Sequence, residues 1–363
     1  MKSQVERAVQ DVVRLSHAGL ESTSFQHEVL RVIKRIIPID AAFFATTDPA
    51  TLLFTSVIAD DVLLRQTPLF LQNEFLQDDT NKFVDLTRRR DHVRSLHDGT
   101  RGDLEASWRY REILEPVALG DELRAALMDD GACWGVMCLH REKARATFTA
   151  TEHAFLARVA PYIAGGLRTA LTIGAVETAP SQDAPGLVLL TDDLSIIAMS
   201  PTAEALMDEL GGVDRAMDAL PPVVTAVAAR LRELEAATSQ VDTRLLPRAR
   251  VRTRRGEWVS VHATRMTGGA VRQIAVILDR AQPIEIAPLI VQSYRLSPRE
   301  SEITQLIAQG FATAEIAATC HITAETVQDH CKSIFDKVGV RSRRELVAHL
   351  FERHYRPQRP GQA

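Results

Sequence analysis

From Thr323 to Arg344 the chain sets out side chains whose chemistry suits base edges and phosphates. The Gln328 amide can bond adenine N6 and N7 together, and the Asp329 carboxylate can accept from cytosine N4. Lys332, Lys337, Arg341, Arg343 and Arg344 offer cations that would neutralise phosphates and fix register. Thr323 and Thr326 place hydroxyls beside a helix N-terminus, whose positive end favours the same anions. From Lys332 to Arg359 there are eight basic residues against three acidic ones, Asp336, Glu345 and Glu352. Double-stranded DNA is the partner this set would fit.

These side chains need a frame, and the flanking sequence specifies one. In Leu296-Ser297-Pro298-Arg299-Glu300, Ser297 is placed at the N-cap, Pro298 at N1 and Glu300 at N3, so cap and carboxylate satisfy each other's orphan amides. Ile303, Leu306 and Ile307 give that helix its buried stripe, and Gly310 stops it. A short helix is predicted from about Thr313 to Thr319, burying Ile316 and Ala317. Cys320-His321-Ile322 then turns the chain, and Thr323 caps a third helix. There Val327, Cys331, Ile334, Phe335 and Val338 fall within about 100° of arc, opposite Glu325, Gln328, Asp329, Lys332, Ser333 and Asp336. Gly339 ends it. Ser342-Arg343-Arg344-Glu345 repeats the capping pattern before a fourth helix built on Leu346, Val347, Leu350 and Phe351. Short helix, tight turn and a helix with an exposed polar face make a helix-turn-helix, whose second helix enters the major groove.

Leu296-Ser297-Pro298-Arg299-Glu300, Gly310, Glu315-Ile316-Ala317, Thr326-Val327-x-x-His330, Val338-Gly339-Val340 and Arg341-Ser342-Arg343-x-Glu345-Leu346 together resemble the LuxR/GerE-type DNA-binding domain. The resemblance implies an all-α four-helix domain that binds DNA, commonly as a dimer through its last helix. Members often carry Lys where Gln328 stands; here the charge is lost, and Lys332 follows one turn later. Val327, Ile334, Phe335 and Val338 are expected in the core, and His330 reads as a packed structural histidine. Glu325, Asp329 and Asp336 also admit a plainer reading as a solvated face, since acids near phosphate cost affinity.

The remainder of the chain is predicted to be α+β, which makes the whole multidomain. Val5, Val9 and Val12 mark one helix, and Val29, Val32, Ile33, Ile36 and Ile37 a second that Pro38 ends. Ala41–Ala45, Leu52–Ile58 and Ala132–His140 read as strands, with a mixed helical middle between the last two. Thr149 or Thr151 caps a helix striped by Phe155, Leu156, Val159, Ile163 and Leu167. This order, with Ile39-Asp40-Ala41-Ala42-Phe43-Phe44, Thr47-Asp48-Pro49 and Trp134-Gly135-Val136-Met137-Cys138-Leu139, resembles the GAF sensor fold. Gly186–Leu190 and Ser195–Met199 form a hairpin, followed by a helix over Pro201–Leu210 and strands at Arg248–Arg254, Trp258–Ala263 and Ile274–Leu278. That block resembles a PAS domain, with Ser200 where the family often has Asn. The alternating Arg248, Arg250, Arg252 and Arg254 are expected on the solvent face of an edge or outer strand.

Two weakly patterned, Pro-bearing stretches separate the blocks. They give a GAF-like domain at 1–173, a linker at 174–185, a PAS-like domain at 186–281, a linker at 282–293, the helix-turn-helix domain at 294–356 and a loose tail at 357–363. The helix near Phe155–Thr172 and the stretch around Ile284–Gln292 are expected to transmit a signal by repacking a dimer.

With 363 residues, 45% hydrophobic and 25% charged, global disorder is excluded. The net charge of −4 argues against a chain that coats nucleic acid throughout, though not against a locally basic head. No apolar run approaches the roughly 18 residues that span a bilayer. The N-terminus lacks a secretory apolar core, so a cytoplasmic location without membrane contact is expected. Cys133, Cys138, Cys320 and Cys331 are too scattered for a disulfide framework or a zinc site, so no metal is expected. Trp134, Met137, Cys138 and His140 read as core, in preference to haem ligation by the last two. Neither phosphate-binding Gly loop is present, nor H-E-x-x-H or G-x-S-x-G, and no enzymatic activity is expected. A phosphorylated receiver would begin with a doubly wound sheet, and an acyl-homoserine-lactone receptor would have one shorter sensor. The reading is a homodimeric regulator that couples a small-molecule or partner signal to DNA, with RNA polymerase as a further candidate partner. The sequence specifies no cofactor, and fold analogy alone cannot supply one.

Overall fold

The computed structural model describes residues 2–172, 185–211, 220–236, 246–267, 272–281 and 296–352, with residues 285, 286, 288, 289, 292 and 294. The expected linker at 174–185 except its last residue, much of that at 282–293 and the expected tail at 357–363 lie outside the described residues. The chain divides into two compact units. One takes in Met1–Ile173, Pro185–Val251 and Ser260–Asp279, the other Gly174–Ala184, Arg252–Val259 and Arg280–Ala363.

The first unit opens with α1 (Lys2–Ser16) and α2 (Ser22–Lys34), then β1 (Ala41–Thr47) and β2 (Phe54–Ala59). Helices α3 (Asp61–Leu64), α4 (Thr67–Leu76) and α5 (Phe83–Arg88) lead to β3 (Val93–Ser95) and α6 (Leu96–Gly99). Strands β4 (Leu119–Asp129) and β5 (Ala132–Glu142) and the long α7 (Ala150–Thr172) complete the block. The strands form one sheet in the order β2-β1-β5-β4-β3, and every pairing in it is antiparallel.

The mixed helical middle that the sequence suggested is present as α3 to α6, but it is followed by β4, a strand the sequence reading did not assign. Asp121, Glu122 and Arg124 are buried in it, so its polar side chains face inward and hide the usual alternation. Its hairpin with β5 turns at Asp130 (φ +50°) and Gly131 (φ +75°), the two-residue turn with both φ positive that matches strand twist. Strand β2 starts at Phe54 because Leu52, with φ +59°, belongs to the turn. Thr149 is the cap of α7: its N–H bonds Glu152 Oε2 at 2.8 Å, and the Glu152 N–H returns to Thr149 Oγ1 at 3.3 Å. Phe155, Leu156, Val159, Ile163 and Leu167 are all buried, as their stripe predicted. Gly166 lets α7 meet α2 closely, since a Cβ there would lie 2.2 Å from the Phe25 ring.

A second sheet is built from β6 (Gly186–Leu190), β7 (Ile196–Met199), β8 (Arg248–Arg252), β9 (Trp258–Met266) and β10 (Gln273–Arg280). Its order, β7-β6-β10-β9-β8, repeats the connectivity of the first sheet. Ser200 caps α8 (Pro201–Glu209) through the Ala203 N–H at 3.3 Å. Helix α9 (Pro222–Ala236), which the sequence reading did not assign, packs on α4, and the Arg230 guanidinium lies 4.6 Å from the centre of the Phe75 ring. The arginine row is on the edge strand β8, but Arg248, Arg250 and Arg252 are half-buried and engaged. Arg248 Nε donates to Ser260 Oγ at 3.1 Å, and Arg250 Nε to Asp48 Oδ2 at 2.9 Å. Arg252 Nε donates to the Gly256 carbonyl at 2.9 Å.

The helical part of the second unit comprises α10 (Pro298–Ala308), α11 (Thr313–Thr319), α12 (Ala324–Val338) and α13 (Arg343–Glu352). Leu296, Ile303, Ile307, Ile316, Val327, Ile334, Val338 and Leu346 form its core. Phe335 and Cys331, expected there too, are half-buried at the margin. All four cysteines of the chain are free thiols. No helix among the described residues is long and apolar enough to cross a membrane.

Candidate nucleic-acid interface

The capping box that starts α10 is present in full. Ser297 Oγ accepts the Glu300 N–H at 3.2 Å, and Glu300 Oε2 accepts the Ser297 N–H at 2.6 Å. The same carboxylate reaches α12: Ser333 Oγ donates to Oε1 and Lys337 Nζ to Oε2, both at 2.6 Å. Burial works to raise the Glu300 pKa, but the bonds from Lys337, Ser333 and Ser297 outweigh it and hold the carboxyl at about 2. One ionised side chain therefore joins the first turn of α10 to two turns of α12.

The turn between α11 and α12 is tight. His321 takes a left-handed conformation (φ +54°), the Ile322 N–H bonds the Ala317 carbonyl at 3.0 Å, and Arg299 donates to the Cys320 carbonyl. Thr323 Oγ1 caps α12 by accepting the Thr326 N–H at 3.1 Å, and the two threonine hydroxyls bond each other at 2.8 Å. One hydroxyl proton of that pair stays available to an anion. Gly339, at φ +76°, closes α12 with a left-handed residue that side chains disfavour. Glu315 accepts the Ala312 N–H at 2.6 Å, half of a capping box, because Ala312 has no side-chain oxygen to return the bond. Ser342 Oγ accepts the Glu345 N–H at 3.1 Å, while the Glu345 carboxylate takes the Arg341 N–H at 2.6 Å.

Val327, Ile334 and Val338 turn one side of α12 into the core and leave Glu325, Gln328, Asp329, Lys332 and Asp336 exposed on the other. The expected reading residues Gln328, Asp329 and Lys332 thus share one free face, and Arg341 and Arg344 are exposed just beyond it. Lys332 Nζ donates to Asp329 Oδ1 at 3.2 Å, so the lysine on this face is partly neutralised. Two residues expected to contact phosphate have partners inside the domain: Lys337 is held by Glu300, and half-buried Arg343 donates to the Phe311 carbonyl. Cationic type alone does not reveal such partners. Nor does sequence spacing reveal Glu300 as an organiser of α12, because its contacts are 33 and 37 residues away. His330 is half-buried beside the core stripe.

A second cluster, in the first unit, also escaped the sequence reading. Arg109 Nε donates to Glu122 Oε2 at 2.7 Å, and Arg124 donates through one amino group to Glu74 Oε2 at 2.8 Å. Both guanidiniums are fully buried; that of Arg124 lies 3.9 Å from the centre of the Phe83 ring. Burial works to raise the Glu122 pKa, but Arg109, Arg124 and His140 hold it down at about 2. Register places Glu122 opposite His140 and Arg124 opposite Cys138, so the four side chains share the sheet face covered by Phe70 and Phe83. Burial lowers the His140 pKa to about 4 and pushes the Cys138 thiol up, leaving both neutral at pH 7. The adjoining cavity, lined by Phe43, Gln66, Thr67, Phe70, Ile113 and His140, holds about 10 Å³, close to the space of one water.

Residues 294–350 match the family of bacterial regulatory proteins called the luxR family, and residues 13–167 match the GAF domain. The chain therefore carries a LuxR-type helix-turn-helix domain and an N-terminal GAF domain within a multidomain α+β architecture. The response regulator protein VraR of Staphylococcus aureus is 42% identical over 57 residues, which is 16% of this chain and 27% of VraR. VraR of Staphylococcus epidermidis gives the same figures. The chain thus spans about a quarter of the length of these curated relatives. Among solved structures, the VqsR LBD domain from Pseudomonas aeruginosa is 19% identical, with a TM-score of 0.30, covering 47% of this chain and 96% of that one. The Vibrio cholerae VqmA dimer is 17% identical, with a TM-score of 0.19, covering 47% and 84%.

Proposed function

We propose that the chain is a non-enzymatic, cytoplasmic transcription regulator that binds DNA as a homodimer, with α12 in the major groove and the GAF domain as its sensor. The observation that carries this is the free face of α12. Glu300 and the buried Val327, Ile334 and Val338 fix the helix from behind, so Gln328, Asp329 and Lys332 project from a rigid element. Gln328 reads adenine, Asp329 accepts from cytosine N4 or restrains Lys332, and Lys332, Arg341 and Arg344 meet phosphates. Thr323 and Thr326 offer the spare hydroxyl at the helix N-terminus. Lys337 and Arg343 act from within the domain, keeping α12 and α13 in place.

The second sheet repeats the strand order of the first, which supports reading it as a PAS-like second sensor. Asp48, in the turn before β2, and Arg250 on β8 join the two sheets within one unit. A small-molecule or partner signal received there acts only to the extent that it binds the DNA-competent arrangement better than the other. Contact with RNA polymerase at the bound promoter completes the proposal.

Genome-wide mapping of sites bound by the full chain tests it. The expected result is an inverted repeat with half-sites about 10–10.5 base pairs apart or a multiple of this. Gln328→Ala should cost about 1–3 kcal/mol on that site and relax one base position. Enrichment without any shared motif, or uniform weakening by Gln328→Ala, would contradict the assignment of this face.

A further inference from the structure

We infer that Glu122, Cys138 and His140 form a buried binding site for one divalent transition ion, of the class that takes mixed sulfur, nitrogen and oxygen ligands. Their ligand atoms lie within 4.8 Å of one another, all three residues are buried, and the strand register of β4 against β5 sets them on one sheet face. Three protein ligands with a fourth position left open is the donor set of zinc sites that bind an exogenous molecule, and a thiolate with an imidazole selects ions of that softness.

The surroundings fit such an ion. Glu122 Oε2 is held by Arg109, while Oε1, 3.9 Å from His140 Nε2, makes no hydrogen bond; neither does the buried His140 Nδ1. Arg109 thereby orients the carboxylate, as outer partners of metal ligands do. The amino groups of Arg124 bond Glu74 and the Asn81 carbonyl, each at 2.8 Å, while its Nε lies 3.7 Å from Glu122 Oε1 without a hydrogen bond. Glu74, Asp79 and Glu122 carry three negative charges against the two of Arg109 and Arg124. A divalent ion adds two positive charges and the Cys138 thiolate one negative, which brings the cluster to neutrality. On binding, the Cys138 S–H bond breaks, a metal–sulfur bond forms and the proton leaves to solvent; no electron is transferred. Of the three ligands His140 alone lines the small cavity beside Gln66, Thr67 and Phe70, whose space of about 10 Å³ would admit one water as a fourth ligand.

The test is a titration of the full chain, stripped with chelator, by Co²⁺ with Zn²⁺ as competitor. One equivalent of cobalt should bind with a thiolate-to-cobalt charge-transfer band, and zinc should displace it, since thiolate and imidazole ligands suit zinc. Cys138→Ser should abolish the band, and His140→Gln should weaken binding by about 100-fold, the upper end of what losing even an outer partner of a ligand costs. Cys133→Ser and Cys331→Ser should leave both unchanged. Because core variants can lose their fold, X-ray absorption on the cobalt-loaded wild type gives an independent reading, with one sulfur among nitrogen and oxygen ligands expected. No bound cobalt, a shell without sulfur, or a band that survives Cys138→Ser or vanishes with Cys133→Ser would overturn the site.

Discussion

Glu300 Oε2 lies 2.6 Å from Lys337 Nζ, so the carboxylate that opens α10 also holds the last turn of α12. Glu300→Gln should loosen α12 without touching its exposed face. The folded-state pKa of Glu300 is depressed from 4.5 to about 2, so its contribution is complete above about 4.5 and is lost as pH falls toward about 2. We expect about 2 kcal/mol, below what the full shift would give, because Lys337 is 40% exposed and screened by solvent. Hydrogen exchange across residues 297–338, wild type against variant, checks this. The gap should be full at pH 7 and shrink below pH 4.5; a gap independent of pH would contradict the role of the ionised carboxylate.

Asp329 and Lys332 form an exposed pair on the face of α12 proposed to read DNA. If Asp329 chiefly restrains the lysine, Asp329→Asn should strengthen binding to all duplexes and steepen the salt dependence. If it accepts from cytosine N4, the same change should instead cost about 1–3 kcal/mol at one base position only. Competition between cognate and scrambled duplexes at two salt concentrations separates the outcomes. The geometry favours the first.

Arg343 and Arg344 are neighbours with different surroundings, the first half-buried and bonded to the Phe311 carbonyl, the second exposed. Arg343→Ala should destabilise the helical domain by about 1–2 kcal/mol through the lost bond to the Phe311 carbonyl, and leave the salt slope of DNA binding unchanged. Arg344→Ala should reduce that slope by about one and leave stability alone. Thermal melts and salt titrations on both variants decide the matter, and a lowered slope for Arg343→Ala would return that residue to the DNA face.

Asp48 is buried, and Arg250 bonds both its oxygens, at 2.9 Å to Oδ2 and 2.7 Å to Oδ1. Arg250→Ala strands a buried carboxylate and should cost about 3–5 kcal/mol. Asp48→Asn with Arg250→Met should recover most of this, because Asn can still accept the Ala50 N–H that Asp48 Oδ1 takes at 3.0 Å. Urea unfolding followed by tryptophan fluorescence measures both. Equal losses in the single and double variants would mean that the pair does not join the sheets.

The helix-turn-helix was legible because its ends are written in local chemistry. Ser297 with Glu300, Thr323, and Gly339 act within a few residues of themselves. The α7 start was legible for the same reason, leaving only the choice between Thr149 and Thr151 to the structure. Strand β4 was not, because Asp121, Glu122 and Arg124 face inward, where their partners come from distant segments. Its one local cue is the Asp130-Gly131 turn. On the exposed face of α12, periodicity found which residues are exposed, but it could not show that Lys337 and Arg343 have partners elsewhere in the domain. Long-range pairing of charged side chains was what the pattern could not carry.

The most direct test of the DNA reading is the affinity of a folded 290–356 fragment for mixed-sequence duplex between 50 and 200 mM salt. With Lys332, Arg341 and Arg344 meeting phosphates, log K should fall with log salt at a slope of about −2.7 per bound copy, and of about −1.8 for Lys332→Ala. A fragment with intact helices that binds no duplex at the lowest salt, or a slope that Lys332→Ala leaves unchanged, would contradict it.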